Sequence, residues 1–386
     1  MRTPRIAVCH PSLEHGGSEA RALWLVHGLA EMGDVDLLTL RAVDVDALST
    51  YYGVPLRERP FTVRRPTVMR NLTRMHRGDG LRAAAFERFV AGRASRYDLV
   101  ISAYNPMPIP GRSIAYVADV SWHPELRRAL FGDTSLRDGA RGAKGIVSGA
   151  YGALERALRP GAVVGAQRIV ANSHYVADLL AEHTAIQCAS VIYPPVAGPP
   201  ARTDTTERSP TSFVMLGRLA PEKRIEEQIR ILERVRAEGF DVNLRILGGG
   251  RDAVYAQALE REHEAPWIAW AGWVGGASKW DALASARFGI HGCRGEAFGI
   301  SVAEMMRAGV IPFAPTEGGP AELLGEDRLV YGSEDEAVRK ITALLASEAE
   351  HAGLREDLQR RGEAFGVEAF LEASLALVDD VLAAPE

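Results

Sequence analysis

The feature that most constrains this chain is a rhythm that runs, breaks and starts again. Short apolar runs alternate with helical patterns from the first residues: Ile6–Cys9, a helix over about 18–32, Val35–Leu40, Leu99–Ser102, Ile114–Val117, Ile169–Ala171 with a helix from Ser173, and Ser190–Ile192. Apolar strands separated by helical crossovers build a parallel sheet with helices on both faces. Proline and polar residues then interrupt the pattern, which predicts a linker over 196–210. The alternation restarts at Phe213–Leu216, followed by a helix over 222–238, Val242–Leu247, Trp267–Trp270, Phe288–His291, a helix over 301–308, Val310–Phe313, Arg328–Val330 and helices to the end. The expected architecture is α/β, with two doubly wound domains at 1–195 and 211–366. They should face one another across a cleft, where sheets of this kind bind ligands. A last helix, within 367–386, is expected to return to the first domain.

A chain of 386 residues exceeds what one hydrophobic core usually supports. Cys9, Cys188 and Cys293 lie far apart without a C-x-x-C pair, so neither a disulfide framework nor a zinc site is expected. A reducing cytoplasm fits that usage. The run Ile6–Cys9 is too short for a signal-peptide core, and no stretch reaches the roughly 18 to 20 apolar residues of a membrane-spanning helix.

The net charge of -5 conceals an asymmetry. Residues 1–195 hold 24 Lys and Arg against 18 Asp and Glu, whereas the remainder holds 21 against 32. Eleven arginines fall between Arg57 and Arg96, among only Glu58, Asp79 and Glu87. Such a region suits an acidic acceptor or peripheral attachment to an anionic membrane at its inner face, and equally an ordinary solvated surface. Nucleic acid is not expected, because no aromatic residues are interleaved to stack on bases.

Three segments carry chemistry. In Glu296-Ala-Phe298-Gly299-Ile300-Ser301-Val-Ala-Glu304, two carboxylates flank a turn into a helix, whose first backbone N–H groups and dipole attract an anion. Glu304 can accept from two vicinal hydroxyls, as a ribose offers, while Glu296 lies ahead of the helix. A solvated helix face carries the same spacing. In Gly217-Arg218-Leu-Ala-Pro221-Glu222-Lys223, two cations follow a strand and can clamp a diphosphate, although Pro221 with an acid also suits a simple helix start. The third, Glu14-His15-Gly16-Gly17-Ser18, joins the first strand to the first helix. Its glycines permit close backbone approach to a phosphate or sugar, and Ser18 can cap the helix.

Together with Ala171-Asn-Ser173, Val191-Ile-Tyr-Pro-Pro-Val196, Gly272-Trp273-Val274, Met305-x-x-Ala308-Gly309 and Thr316-x-Gly318-Gly319-Pro320, these segments resemble glycosyltransferase family 4. The resemblance implies a GT-B fold of two Rossmann-like domains and a metal-independent enzyme without a cofactor. It further implies transfer of a hexosyl group from a nucleotide diphosphate sugar with retention of configuration. The acceptor would be a glycan, a lipid-linked glycan or a small molecule. Local similarity of Gly289–Ile300 to GDP-mannose-dependent mannosyltransferases tilts the donor towards GDP-mannose, with a UDP sugar next. By the same resemblance, Arg218 and Lys223 hold the diphosphate, Glu304 the ribose and Glu296 the sugar hydroxyls. Gly16, Gly17, Gly248, Val274, Phe298, Gly299, Ile300 and Ser301 would complete the donor site.

The family often carries a histidine after the strand corresponding to Ile114–Val117. Here the stretch reads Tyr116-Val-Ala-Asp119-Val-Ser-Trp122-His123, so Asp119 or His123 takes that place beside the acceptor, with His15 a further candidate and Asp119 counted among the catalytic residues. Asp119 also suits a turn cap. Asp34-Val-Asp36 and Asp44-Val-Asp46 mimic a metal-binding D-x-D but are expected to be solvated acids. His10, His15 and His291 lack i, i+4 ligand spacing, so no metal site is expected. Trp270 and Trp273 are expected to pack in the core. The competing readings are an epimerase acting on a nucleotide sugar and a non-catalytic sugar-binding scaffold.

Overall fold

Burial on both faces turns the apolar runs of the first unit into a parallel sheet. The computed structural model describes residues 2–14, 16–66, 79–119, 123, 126, 167–199, 208–250 and 252–385. Two compact units emerge, Met1–Pro195 with Val367–Glu386, and Val196–Gly366. In the first, β1 (Arg5–Cys9), β2 (Asp34–Leu38), β3 (Thr62–Arg64), β4 (Leu99–Ser102), β5 (Ser113–Tyr116), β6 (Gln167–Ala171) and β7 (Ser190–Val191) stand in the order β3-β2-β1-β4-β5-β6-β7. All neighbours are parallel.

Successive side chains of a strand face opposite ways, and β1 shows the consequence. Ile6 and Val8 join one core with Leu23 and Leu25 of α1 (Gly17–Leu29), whereas Ala7 and Cys9 join another with Phe86 and Phe89. Helix α2 (Val45–Tyr52) starts where Asp44 accepts from the Ala47 N–H at 3.0 Å. The aromatic pair sits on α3 (Asp79–Ala91), and Ser173 caps α4 (His174–His183) by accepting from Val176 N–H.

The second unit repeats the plan. Strands β8 (Ser212–Leu216), β9 (Asn243–Leu247), β10 (Ile268–Trp270), β11 (Phe288–Ile290), β12 (Ile311–Pro315) and β13 (Val330–Tyr331) are parallel in the order β10-β9-β8-β11-β12-β13. Phe213, Phe288 and Phe313 stack across the central strands, with centroids 5.1 Å and 6.3 Å apart between neighbours. Strand order reverses between β8 and β11, and a doubly wound sheet opens a crevice outside its carboxyl ends at such a point. The crossovers are α5 (Ile225–Ala237), α6 (Ala253–Glu262), α7 (Gly276–Ala284), α8 (Ile300–Arg307), α9 (Gly319–Leu324), α10 (Glu334–Leu345) and α11 (Glu348–Glu363).

Three local expectations are corrected. The helix predicted over 222–238 is a 3₁₀ turn at Pro221–Lys223, then Arg224 in the left-handed region at φ 51°, then α5. Arg224 pairs with Glu227, and the Gln228 amide donates to the Lys223 carbonyl at 2.7 Å, which fixes the break. The strand predicted at 328–330 is a 3₁₀ turn, Asp327–Leu329, with pairing only at Val330–Tyr331. The predicted linker is partly core: Val196 N–H donates to Phe365, and the Arg208 guanidinium, 6% exposed, donates to the carbonyls of Ala286, Ala308 and Gly309.

Helix α12 (Val367–Ala383) belongs to the first unit, where Phe370, Val378 and Val381 enter the core shared by β1 and α1. Close helix approach requires Gly28, where an added Cβ would lie 2.8 Å from Leu371. Arg112 donates to the carbonyls of Leu382 and Ala384. Among the described residues no helix is long and apolar enough to cross a membrane.

Candidate active site

At the switch point of the second sheet, three loops bring together residues far apart in sequence. The loop after β8 is pinned where Gly217 N–H donates to Leu247 and Leu219 N–H to Gly249. Gly248 permits this approach, since a Cβ there would lie 1.8 Å from the Gly217 carbonyl oxygen. The loop after β11 is zipped to the one after β12: Gly295 donates to Glu317 at 3.0 Å, Gly319 to Glu296 at 2.8 Å, and Glu296 bridges Gly318 in parallel register. Glu296 is thus held by backbone on both sides.

The Lys223 ammonium donates to the Glu296 carboxylate, joining the first loop to the second. Burial works against both charges, yet each favours the other's ionised form. For Glu296, burial is outweighed by Lys223 and His291, and its pKa falls to about 2. For Lys223, burial is outweighed by Glu296, and its pKa is raised. Arg218 remains half exposed and pairs with Glu222 at 3.0 Å.

Helix α8 begins at Gly299, whose φ of 99° favours glycine and which supplies no side-chain cap. The first N–H groups of a helix lack intrahelical acceptors, so this end suits an anion. Ile300 and Ser301 form the first turn. Phe298 does not face a ligand with its ring: it is buried and packs edge-on against Phe365 at 5.7 Å. Glu304, one turn on, accepts from Lys279 of α7 at 2.6 Å, a partner the sequence did not suggest. Val274 is half-buried, while Trp273, expected in the core, is 57% exposed. Trp270 is half-buried.

His291 and Cys293, buried in the loop after β11, complete the surroundings of Glu296. Burial holds the imidazole at about 4, so it is neutral at pH 7. Burial, with Glu296 nearby, lifts the Cys293 thiol to about 12. One ligand atom each from His291, Cys293 and Glu296 lie within 4.8 Å of one another. Sequence spacing had given no sign of this cluster, because a turn rather than a helix assembles it.

The first unit has its own switch point, between β1 and β4. Gly16 and Gly17 open α1, but the Gly16 N–H already donates to the Tyr52 hydroxyl at 2.7 Å. His15 lies outside the described residues. Asp119 and the Ala118 N–H meet at Asn105, whose amide donates to the Asp119 carboxylate at 3.4 Å and accepts from Ala118 at 2.9 Å. His123 is half-buried. Sequence reasoning weighed His10 only as a metal ligand; it lies buried directly after β1 and 3.1 Å from the Ser18 hydroxyl, with its pKa lowered by burial to about 4. That reasoning overlooked Arg21, 3% exposed, which donates to the Val117 carbonyl at 3.3 Å.

The arginine run is less bare than its sequence suggests. Arg57 pairs with Asp46, Arg59 with Glu31, and Arg64 with Asp36, all acids from outside the run. Arg70, Arg74 and Arg77 lie outside the described residues. Asp36 is also no solvated acid: it is 9% exposed and accepts from Tyr97 at 2.8 Å.

A Rossmann-like unit with a cationic loop, a half-buried carboxylate and a helix start without a side-chain cap at its switch point has the features that suit phosphorylated ligands. Residues 203–365, within the second unit, match the family described as glycosyl transferases group 1. A GDP-mannose-dependent alpha-mannosyltransferase of Mycolicibacterium smegmatis is 35% identical over 113 residues, 29% of this chain. The match spans 28% of that relative's length. Anabaena HepE, solved with UDP and glucose, superposes with a TM-score of 0.67 at 16% identity, covering 98% of this chain and all of that one. A sucrose-phosphate synthase from Thermosynechococcus elongatus gives 0.71 at 16% identity, covering 99% of this chain and 100% of that one. The fold is therefore GT-B, two parallel-sheet Rossmann-like domains.

Proposed function

We propose that the chain is a retaining glycosyltransferase, moving a hexosyl group from a nucleotide diphosphate sugar to a glycan, lipid-linked glycan or small-molecule acceptor. The observation that carries this reading is the Lys223–Glu296 ion pair at the second switch point, beside the open start of α8. Lys223 is cationic at neutral pH, so it can take a diphosphate oxygen and stabilise the charge developing on the departing nucleotide. Arg218, half exposed, is the second cation for that diphosphate. The donor, arriving, exchanges its phosphate for the carboxylate as the partner of Lys223 and leaves Glu296 to accept from sugar hydroxyls.

Glu304 accepts from Lys279 through one carboxylate oxygen, and its remaining lone pairs can take ribose hydroxyls. Gly248, Val274 and the backbone of Phe298, Gly299, Ile300 and Ser301 are assigned to the donor. In the first unit Gly16 and Gly17 are assigned to it as well, through backbone other than the Gly16 N–H. Asp119 and His123 are assigned to the acceptor. Retention needs no protein nucleophile if the acceptor attacks from the face the phosphate leaves, and none of these roles calls for a metal ion. GDP-mannose is favoured as donor because the Mycolicibacterium relative is named for it, with a UDP sugar next because HepE was solved with UDP. Anionic membrane is a proposed peripheral partner of the 57–96 region, through whatever charge its internal pairs leave.

A thermal-shift screen of GDP, UDP, ADP and dTDP tests the reading. A ligand at 100 times its Kd adds about 2.7 kcal/mol of stability. One diphosphate should stabilise the protein equally with and without Mg²⁺, and Lys223→Ala should abolish the shift. Melting that is indifferent to every nucleotide would overturn the donor site.

A further inference from the structure

The chemistry proposed for transfer leaves His291 and Cys293 unused, although both stand against Glu296. The His291 side chain is only 5% exposed, its Nε2 has no hydrogen-bond partner, and Nε2 lies 3.8 Å from the Glu296 carboxylate. An unpartnered nitrogen at that depth is costly and asks for a ligand. Its ring is positioned from behind, where Nδ1 meets the Ser301 hydroxyl at 3.5 Å and the His291 carbonyl accepts from Tyr331 at 2.7 Å.

One nitrogen, one sulfur and one carboxylate oxygen within 4.8 Å form a mixed ligand set. Tetrahedral zinc holds such atoms roughly 3.5 Å apart, so side-chain movement of about 1 Å would close them on an ion. Thiolate and imidazole select a soft or borderline cation over Mg²⁺. A fourth position stays open to water. Cys293 would bind as the thiolate, its proton leaving to solvent as the ion arrives.

We propose that His291, Cys293 and Glu296 form a site for a soft divalent cation of the zinc type, and that filling it displaces Lys223 from Glu296 and denies that carboxylate to the donor sugar. Ammonium and metal ion compete for one carboxylate, so the ion inhibits instead of assisting. The second half of the proposal rests on the donor-site reading; the first does not.

Cadmium reports the site directly, because a Cd²⁺–thiolate bond absorbs in the ultraviolet. One Cd²⁺ per chain is expected by equilibrium dialysis, with the thiolate band, in the absence of nucleotide. Cys293→Ser should lose the band and bind about a hundredfold or more weakly. If that variant does not fold, His291→Gln carries the same expectation for affinity. Lys223→Met should bind Cd²⁺ about tenfold tighter, since the competing ammonium is gone, an effect no merely structural role predicts. A band that persists in Cys293→Ser, or no tightening in Lys223→Met, overturns the site. Zn²⁺ should weaken binding of the preferred nucleotide sugar in the wild type and not in Cys293→Ser; nucleotide-sugar binding indifferent to bound Zn²⁺ overturns the inhibition. A protein that binds Cd²⁺ as described but no nucleotide refutes the transferase reading and leaves the ion site standing.

Discussion

Where the first sheet reverses, between β1 and β4, the cation nearest the strand ends is buried and committed to its neighbours. Arg21 is 3% exposed, its pKa brought down by burial to about 10, and it is bound to a backbone carbonyl with the Tyr116 ring 5.4 Å away. Where the second sheet reverses, between β8 and β11, Lys223 and Glu296 hold each other while keeping 17% and 23% of their side chains exposed. Around the reversal the two sheets share one order, three strands running down in number and the next three running up. Topology therefore supplies the crevice, and the loops decide what it can bind. A committed arginine shapes a wall, whereas a lysine paired with one carboxylate can exchange it for a phosphate.

The largest effect that could break this contrast is chemical. Lys223→Ala should lower kcat about a thousandfold, the scale of removing a donor that acts on developing charge. Turnover with the preferred nucleotide sugar measures it, and a loss under tenfold would put the second switch point on a par with the first.

Acid should expose the next difference. His10 and His291, one at each reversal, sit at about 4 in the folded protein against 6.5 ordinarily. The unfolded chain binds more protons below 6.5, so their contribution is present above that pH and lost as pH falls towards 4. Each should cost on the order of 3 kcal/mol over that window, visible as a falling Tm. His10→Gln and His291→Gln should each flatten the slope. Glu296 acts lower down, its contribution present above 4.5 and lost towards 2.

Glu304→Ala should weaken nucleotide binding by about 2 kcal/mol by calorimetry, as expected for a lost charged hydrogen bond. Lys279→Ala sharpens this: binding that survives it shows that Lys279 only parks the carboxylate. The smallest expected change belongs to the first unit. Asp119→Ala should lower transfer about tenfold, the weaker side of a positioned polar group's effect, with nucleotide affinity unaltered. A shift in that affinity would assign Asp119 to the donor.

The sequence showed what lies along it. Strand runs and the turn into α8 follow from local pattern, and the family resemblance singled out Lys223, Glu296 and Glu304. What it concealed was pairing. Lys223 meets Glu296 across 73 positions and Glu304 meets Lys279 across 25, and Arg57, Arg59 and Arg64 find acids outside their own run. Burial was concealed as well, so Phe298 turned inward and Trp273 outward against expectation. His291 and Cys293 were set aside as ligands because ligand spacing rules describe helices and paired knuckles, and here a turn after β11 sets the geometry.

The return of α12 to the first unit carries a consequence for how the molecule is made. Phe370, Val378 and Val381 are part of the first unit's core, yet the ribosome reaches them only after the whole of Val196–Gly366. The second unit is translated without interruption and can mature as it emerges, since domains generally fold as units during synthesis. The first unit must wait beside it with an uncovered apolar face. Its Gly28 groove stays empty until Leu371 arrives, so an unfinished chain is the state most exposed to aggregation and to chaperone capture.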